Sequence, residues 1–470
     1  MAKRKRTNVK ARPSKNSKNK NQKVADEVVS VKRRKTEDVE RTQEQNTQVD
    51  PGSKQFPRIE LPPNPANDPY EYIDGRSLYL DEITVLELEG CLYDLQGSAR
   101  GTTVYKATRV EGDWEDKEVV VKLCIYTHRE ERTGEDEFVK KALDKANELG
   151  DDHAWAKEHL PKILWSKTYD ELSNDTPQYR LAKSLRPNFP LYKDSILCIT
   201  VQSVLQPLID LDKPKEYAQV YFDVLQIHRW LIDHPKILQR DISRENIMFR
   251  READGTIRGV LNDFDHASEL PPPPGPWSLK CTGATPYMSC DALDQDWEKG
   301  HHYRHDLEAL FYVILIVSTH YEERDSKIQR LEPETRLPYH SWYADGAEAV
   351  RLEKFMSIYM RPTDIATTSF FSGFKHVLFG LRAALLRGWL ARQEYEIEMM
   401  SRKRTSSEPK PSFDWQTLGG KVSYETLKAI LCEFDGETLI ERYKERFMRP
   451  IQESDFVPPG VEQVDTDSDA

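Results

Sequence analysis

Cysteine is scarce in this sequence. There are six in 470 residues, and Cys91, Cys124, Cys198, Cys281, Cys290 and Cys432 include no C-x-x-C pair. That excludes a disulfide framework and a zinc ribbon, and points to a reducing compartment. Long apolar runs are also lacking. The longest, ALFYVILIV at 309–317, is about half of the ~20 residues that cross a bilayer. The N-terminus has no apolar stretch of the secretory kind. The expectation is a soluble intracellular protein of the nucleus, the cytoplasm or both, without a membrane partner. No internal repeat is evident. Basic charge, finally, is missing from most of the chain. Residues 1–35 hold fourteen Lys and Arg against two acids, Asp26 and Glu27, whereas the remainder holds 54 basic and 77 acidic residues. A protein that coats nucleic acid would not confine its basic charge in this way, so only nonspecific contact by the arm is expected there.

What is present divides into segments. Residues 1–56 are rich in Lys, Asn, Gln, Ser and Thr, and cannot bury enough apolar surface to order themselves. They read as a disordered basic arm. Its clusters KRKR (3–6) and VKRRKTE (31–37) suit recognition by the nuclear-import machinery. LPPNPANDP (61–69) lies in an extended linker, 57–77. Order is expected from Leu78. VLELEGCLYDLQ (85–96) alternates loosely, and TTVYKATRV (102–110) and EVVVKLCIY (118–126) are β-rich strands joined by the polar EGDWEDK. EDEFVKKALDKANELG (135–150) has apolar positions at helical spacing and a terminal Gly. SILCITVQSV (195–204) returns to strand. From Tyr217 the chain turns helical, through YAQVYFDVLQIHRWLI, YRHDLEALFYVILIV (303–317) and FSGFKHVLFGLRAALLRGWLAR (371–392), with one short β-rich segment at 246–263. SRKRTSSEPKPS (401–412) is a solvated loop, and 451–470 an acidic disordered tail. Strands first and helices later predict an α+β fold, with a small β-rich lobe over 78–204 and a larger helical lobe over 205–450.

The chemistry concentrates in two stretches, LQRDISRENIMFR (238–250) and VLNDFDHAS (260–268). Phosphoryl transfer needs a carboxylate to orient the attacking hydroxyl, oxygen ligands to hold Mg²⁺ against the phosphates, and a cation to steady the nucleotide. Asp241 suits the first role; Asn246 and Asp263 suit the second. Each alone is an ordinary turn former. In this order, bracketing an apolar hairpin, they are far more specific.

The pattern resembles the eukaryotic protein kinase set R-D-x-x-x-x-N followed by D-F-G, and its RDIS, NIM and DFD forms are most similar to the fungal-type protein kinases. The likeness covers roughly Asp81 to Met448. It implies a bilobal fold that binds ATP and Mg²⁺ between its lobes and transfers the γ-phosphate to a Ser or Thr hydroxyl of a protein substrate. It also implies that Lys122, in VVVKLC, reaches the α- and β-phosphates and pairs with a helix glutamate. Glu135 is the choice because apolar residues follow at +3, +4 and +7; Glu137 is the alternative. GSARGTTV (97–104) corresponds to a glycine-rich loop through Gly97, Gly101 and Val104, with Ala99 and Thr102 where two glycines are usual. Backbone groups of Val204, Leu205 and Gln206 would take the adenine. CTGATPYMSCDAL (281–293) is similar to the segment ending in A-P-E, with Asp291 for the glutamate. Asp306 would anchor the catalytic loop through its backbone.

Arg240 could read a phosphate at Thr282 or Thr285, or form an exposed salt bridge. His301, His302 and His305 lack the cysteines or carboxylates of a zinc site. Three departures stand out. Gln239 replaces a His and implies a looser loop, Ser243 replaces a phosphate-steadying lysine with Arg244 one place off, and Asp265 replaces the glycine of D-F-G. They keep two rivals open, a pseudokinase scaffold and a small-molecule kinase.

Overall fold

Runs of β-branched residues set the first half of the fold. The computed structural model describes residues 57–59, 76–96, 100–127, 133–169, 177–185, 195–271, 285–332, 337–343, 346–360, 365–401 and 411–444. The basic arm, most of the linker, Gly97, Ala99, Cys281, Thr282, most of the 401–412 loop and the acidic tail lie outside them.

Seven strands form an antiparallel sheet: β1 (Arg58–Ile59), β2 (Arg76–Tyr79), β3 (Val85–Gln96), β4 (Arg100–Glu111), β5 (Glu118–Thr127), β6 (Ile163–Tyr169) and β7 (Ser195–Ser203), in the order β1-β2-β3-β4-β5-β7-β6. Side chains alternate across a strand, and here the two faces separate cleanly. Val119, Val121, Leu123 and Ile125 join Leu197, Ile199 and Val201 in a core covered by Leu181 and Ala182 of α2 (Pro177–Leu185). Val120, Lys122 and Cys124 occupy the opposite face. The expected β4–β5 connection is present, tied by Arg109, whose backbone N–H donates to Lys117 O and whose guanidinium donates to Gly112 O at 2.7 Å.

Helix α1 (Glu135–Leu149) buries Phe138, Val139, Ala142 and Ala146, and these join the helical lobe's core. Gly150 ends it at φ +86, a conformation that a Cβ disfavours. Val204 and Leu205 then carry the chain from β7 into a small sheet of β8 (Gln206–Pro207), β10 (Ile247–Arg251) and β11 (Ile257–Leu261). β9 (Ile237–Leu238) pairs with β12 (Ser268–Glu269). Helices α3 (Pro214–Asp233) and α4 (Tyr303–His320) form the heart of the larger lobe, and every residue of α4 is buried. The longest apolar run is thus a core helix. No helix among the described residues is long and apolar enough to cross a membrane. The architecture is α+β, with the β-rich and helical lobes expected.

The structure adds elements that the pattern did not show. β1 and β2 include residues that the sequence reading assigns to the linker. β6, α2 and a hairpin of β13 (Tyr321–Arg324) and β14 (Lys327–Arg330) are new. After α5 (Ala347–Phe355), helix α6 (Phe374–Ser401) runs past 392 on a polar sequence. Beyond α7 (Tyr424–Leu431), residues 439–443 lie along α3. Gln219 receives the Ile440 N–H at 2.8 Å and returns its amide N–H to Ile440 O. Gln226 accepts from the backbone of Arg442 and Tyr443, and the Arg442 guanidinium reaches Asp223 at 3.3 Å. Gln219, Asp223 and Gln226 are spaced i, i+4, i+7 and so share one helix face.

Candidate active site

Strand alternation puts Lys122 on the inner face of β5, opposite Thr200 of β7 and Val104 of β4. The side chain is buried, and its Nζ lies 2.9 Å from Glu135 Oε2, 2.8 Å from Asp263 Oδ1 and 3.1 Å from Asp265 Oδ2. Burial works against the charge, but the carboxylates of Asp263, Asp265 and Glu135 outweigh it and hold Lys122 well above its ordinary pKa. Burial drives Glu135 upward to about 7, with Lys122 opposing. The other oxygen of Glu135 accepts the Phe264 N–H at 3.1 Å, so one side chain fastens α1 to both Lys122 and the Asp263 turn. Glu137 is exposed and takes no part.

Asp263 has φ +59, in the left-handed region that non-glycine residues rarely occupy. Two neighbours hold it there: Lys122, and the Asp265 N–H, which donates to Asp263 Oδ1 at 3.2 Å. The sequence reading takes Asp265 only as a replacement for the glycine of D-F-G. Instead it returns to the ion cluster, because two residues of a turn can present side chains to one side. Among the described residues, Glu135, Asp263 and Asp265 are the one group of acids or histidines close enough to hold a metal ion.

The loop at 239–246 is held by a second set of contacts. Asn246 Nδ2 donates to Asp241 O at 2.8 Å and to Asp241 Oδ2 at 3.0 Å, which leaves its amide oxygen as the atom for a cation. The Asn262 N–H donates to Asn246 O at 2.9 Å, bringing Asn246 to the end of the hairpin where Asp263 begins. Gln239 spans the two stretches. Its Nε2 donates to Asp263 O at 3.0 Å and its Oε1 accepts the Asp241 N–H at 2.7 Å. The expected looseness is therefore corrected: a fully buried amide does by hydrogen bonding what stacking would otherwise do. Gln239→His, which keeps one donor and one acceptor, should retain wild-type transfer, whereas Gln239→Leu should lose about tenfold for two buried bonds. Steady-state kinetics on both variants checks this.

Below the loop, Asp306 of α4 accepts from the Arg240 N–H at 3.0 Å and faces His228 at 2.8 Å and His301 at 2.6 Å. Burial would raise its pKa, but His301 and His228 hold it well below the carboxylate range. Arg240, at φ +70, is buried rather than exposed, and Thr282 is outside the described residues. Ser243 Oγ accepts the Asn246 N–H at 3.3 Å, so it shapes the turn. Arg244 lies over the Tyr321 ring and beside Glu245, turned to the helical lobe.

Val104 is half-buried beside Lys122 and Gly101 is buried in β4, while Gly97 is not described. Of the three positions expected at the adenine, Leu205 is buried and Val204 and Gln206 are exposed. Asp291 pairs with Arg304 at 2.5 Å and Arg392 at 2.8 Å. Sequence reasoning missed Asp265 as a cluster member and Gln239 as a bridge. An acid two residues after Asp263, and a buried amide before Arg-Asp, were the available signals.

No curated protein matches this chain. A solved structure of vaccinia related kinase 3 is similar over 74% of this chain and 87% of that one, at 12% identity and a TM-score of 0.39, a likeness too distant to carry an argument. The model of the family described as "Fungal protein kinase" matches residues 83–318, half of the chain. That stretch contains Lys122, Glu135, Asp241, Asn246, Asp263 and Asp265, the residues whose contacts build the site. The chain belongs to the fungal protein kinase family.

Proposed function

We propose that this kinase transfers the γ-phosphoryl group of Mg²⁺-bound ATP to a Ser or Thr hydroxyl of a protein. The observation that carries the reading is the linkage of two clusters through Gln239: Lys122 with Glu135 and Asp263 on one side, Asp241 with Asn246 on the other. Three carboxylates and an amide oxygen form a hard-oxygen donor set that fits Mg²⁺, with Lys122 as the cation beside it. When bound, Mg²⁺ would supply positive charge against the phosphates. Asp263 and Asn246 would hold it, with Asp265 beside them. Lys122 would steady the nucleotide, its ammonium kept charged and aimed by Glu135. Asp241, oriented by the Asn246 amide, would accept the proton of the attacking hydroxyl. Gly101 and Val104 of β4, with Gly97, would cover the phosphates, and Val204–Gln206 would meet the adenine.

The deciding experiment offers the purified protein, with Mg²⁺ and labelled ATP, a Ser/Thr peptide library beside amines and sugars. Label on Ser or Thr peptides is the expected result. Label on small molecules alone would make it a small-molecule kinase. Thermal stabilisation by Mg·ATP with no transfer would make it a scaffold, the reading that Arg244, turned away to Tyr321, favours.

The basic arm is proposed to engage the nuclear-import machinery. Neutralising Lys32, Arg33, Arg34 and Lys35 together with the 3–6 cluster should move a tagged protein to the cytoplasm; an unchanged distribution in fluorescence images would give the arm another role.

A further inference from the structure

Asp241 faces a second wall. A small cavity is lined by Arg240, Asp241 and Ile242 of the catalytic loop on one side and by Tyr287, Met288 and Ser289 on the other. The second wall has no strand or helix of its own, so something else must hold it. Two helices do so from beneath. From α4, Glu308 accepts the Cys290 N–H at 2.8 Å, and its Oε1 also receives the Tyr312 hydroxyl at 2.6 Å. From α5, Lys354 donates to Thr285 O at 3.2 Å and to Met288 O at 2.5 Å.

Lys354 is fully buried, its ammonium 4.1 Å from the Tyr312 ring centre and 5.2 Å from that of Trp342. Among the described residues it forms no ion pair. A lysine placed so is costly to bury, and its polar contacts go to two carbonyls of one short segment. Burial lowers its pKa to about 7. A neutral amine keeps two N–H donors, enough for both carbonyls, so the contact survives in either charge state.

We infer that Lys354 is a positioning residue for the acceptor: it holds Thr285–Cys290 as the wall against which a protein substrate lies beside Asp241. The inference rests on the phosphoryl-transfer reading, and it predicts a separation that a general structural role would not produce. Lys354→Met fills the same space and keeps the aromatic contacts but donates nothing. It should raise KM for a Ser/Thr peptide about tenfold, as expected for two lost hydrogen bonds. KM for ATP and the thermal stabilisation by Mg·ATP should stay at wild-type values. Amide hydrogen exchange should accelerate over 285–290 and stay unchanged over 118–127. Lys354→Gln, which retains two N–H donors on a shorter stem, should recover part of the peptide KM. Should Lys354→Met fail to fold, Lys354→Gln against wild type carries the same comparison.

Equal rises in both KM values would overturn the inference, as would unchanged exchange over 285–290. A wild-type protein that transfers no phosphate would overturn the functional reading alone. The exchange result would still decide whether Lys354 holds the segment.

Discussion

Asp241→Asn will lower phosphoryl transfer by about a thousandfold, within the range for removing a general base, and leave stabilisation by Mg·ATP nearly intact. The contacts on either side of Asp241 explain the split. Its partner Asn246 and its backbone bridge to Gln239 can be kept by an asparagine, so the loop stays in place. What is lost is the basicity that matters only as the hydroxyl attacks. Asp263→Asn should behave in the opposite way. It removes a charged oxygen from the proposed cation site and an ion-pair partner from Lys122, so stabilisation by Mg·ATP should fall along with turnover. Thermal shift and transfer assays run on both variants separate the roles. Equal loss of nucleotide binding in the two would show that they are not divided as proposed.

Asp291→Ala should cost about 3–5 kcal/mol of folding stability, the usual effect of breaking a buried ion pair from one side. Arg304, only 1% exposed, would keep its charge without its 2.5 Å partner, and Arg392 would lose its link from α6 to the segment that ends at Asp291. Burial alone would raise the Asp291 pKa, but Arg304, aided by His305 and Arg392, holds it well below the ordinary range. A depressed folded-state pKa contributes stability that is present above the unfolded value of about 4 and is lost as pH falls below it. Urea unfolding near pH 7 should show the full deficit, and the gap between wild type and variant should narrow in acid. A deficit under 1 kcal/mol at neutral pH would mean that the pair is compensated by solvent.

Much of the candidate site was legible because the phosphoryl transfer proposed for it restricts both residue type and order. Asp241, Asn246 and Asp263 could be read from two nearby stretches, and Glu135 from the apolar positions that follow it on its helix face. Lys122 was visible because a charged residue interrupts an otherwise apolar central strand. Other features depend on what the chain meets after folding. Asp265 looks like a hinge substitution until the turn brings it back to Lys122. Gln239 looks like a weak replacement until both ends of its amide find backbone partners twenty or more residues apart in effect. The residues 393–401 of α6 carry no clear apolar stripe, so helix continuation there was hidden. Lys354 gave no signal at all, since a lysine near a helix end is ordinarily solvated.

The contacts of residues 439–443 along α3 separate two boundaries that are easily conflated. The family's matched stretch stops at residue 318, inside α4, yet Gln219, Asp223 and Gln226 find their partners more than 200 positions later in the chain. A fragment trimmed to the matched stretch would keep every proposed catalytic residue and lose the groups that satisfy the buried polar face of α3. Gln226 would then be left without the two backbone donors it now receives, and Asp223, fully buried, without its guanidinium. Heredity marks one extent of this kinase and cooperativity another, and the second reaches Tyr443.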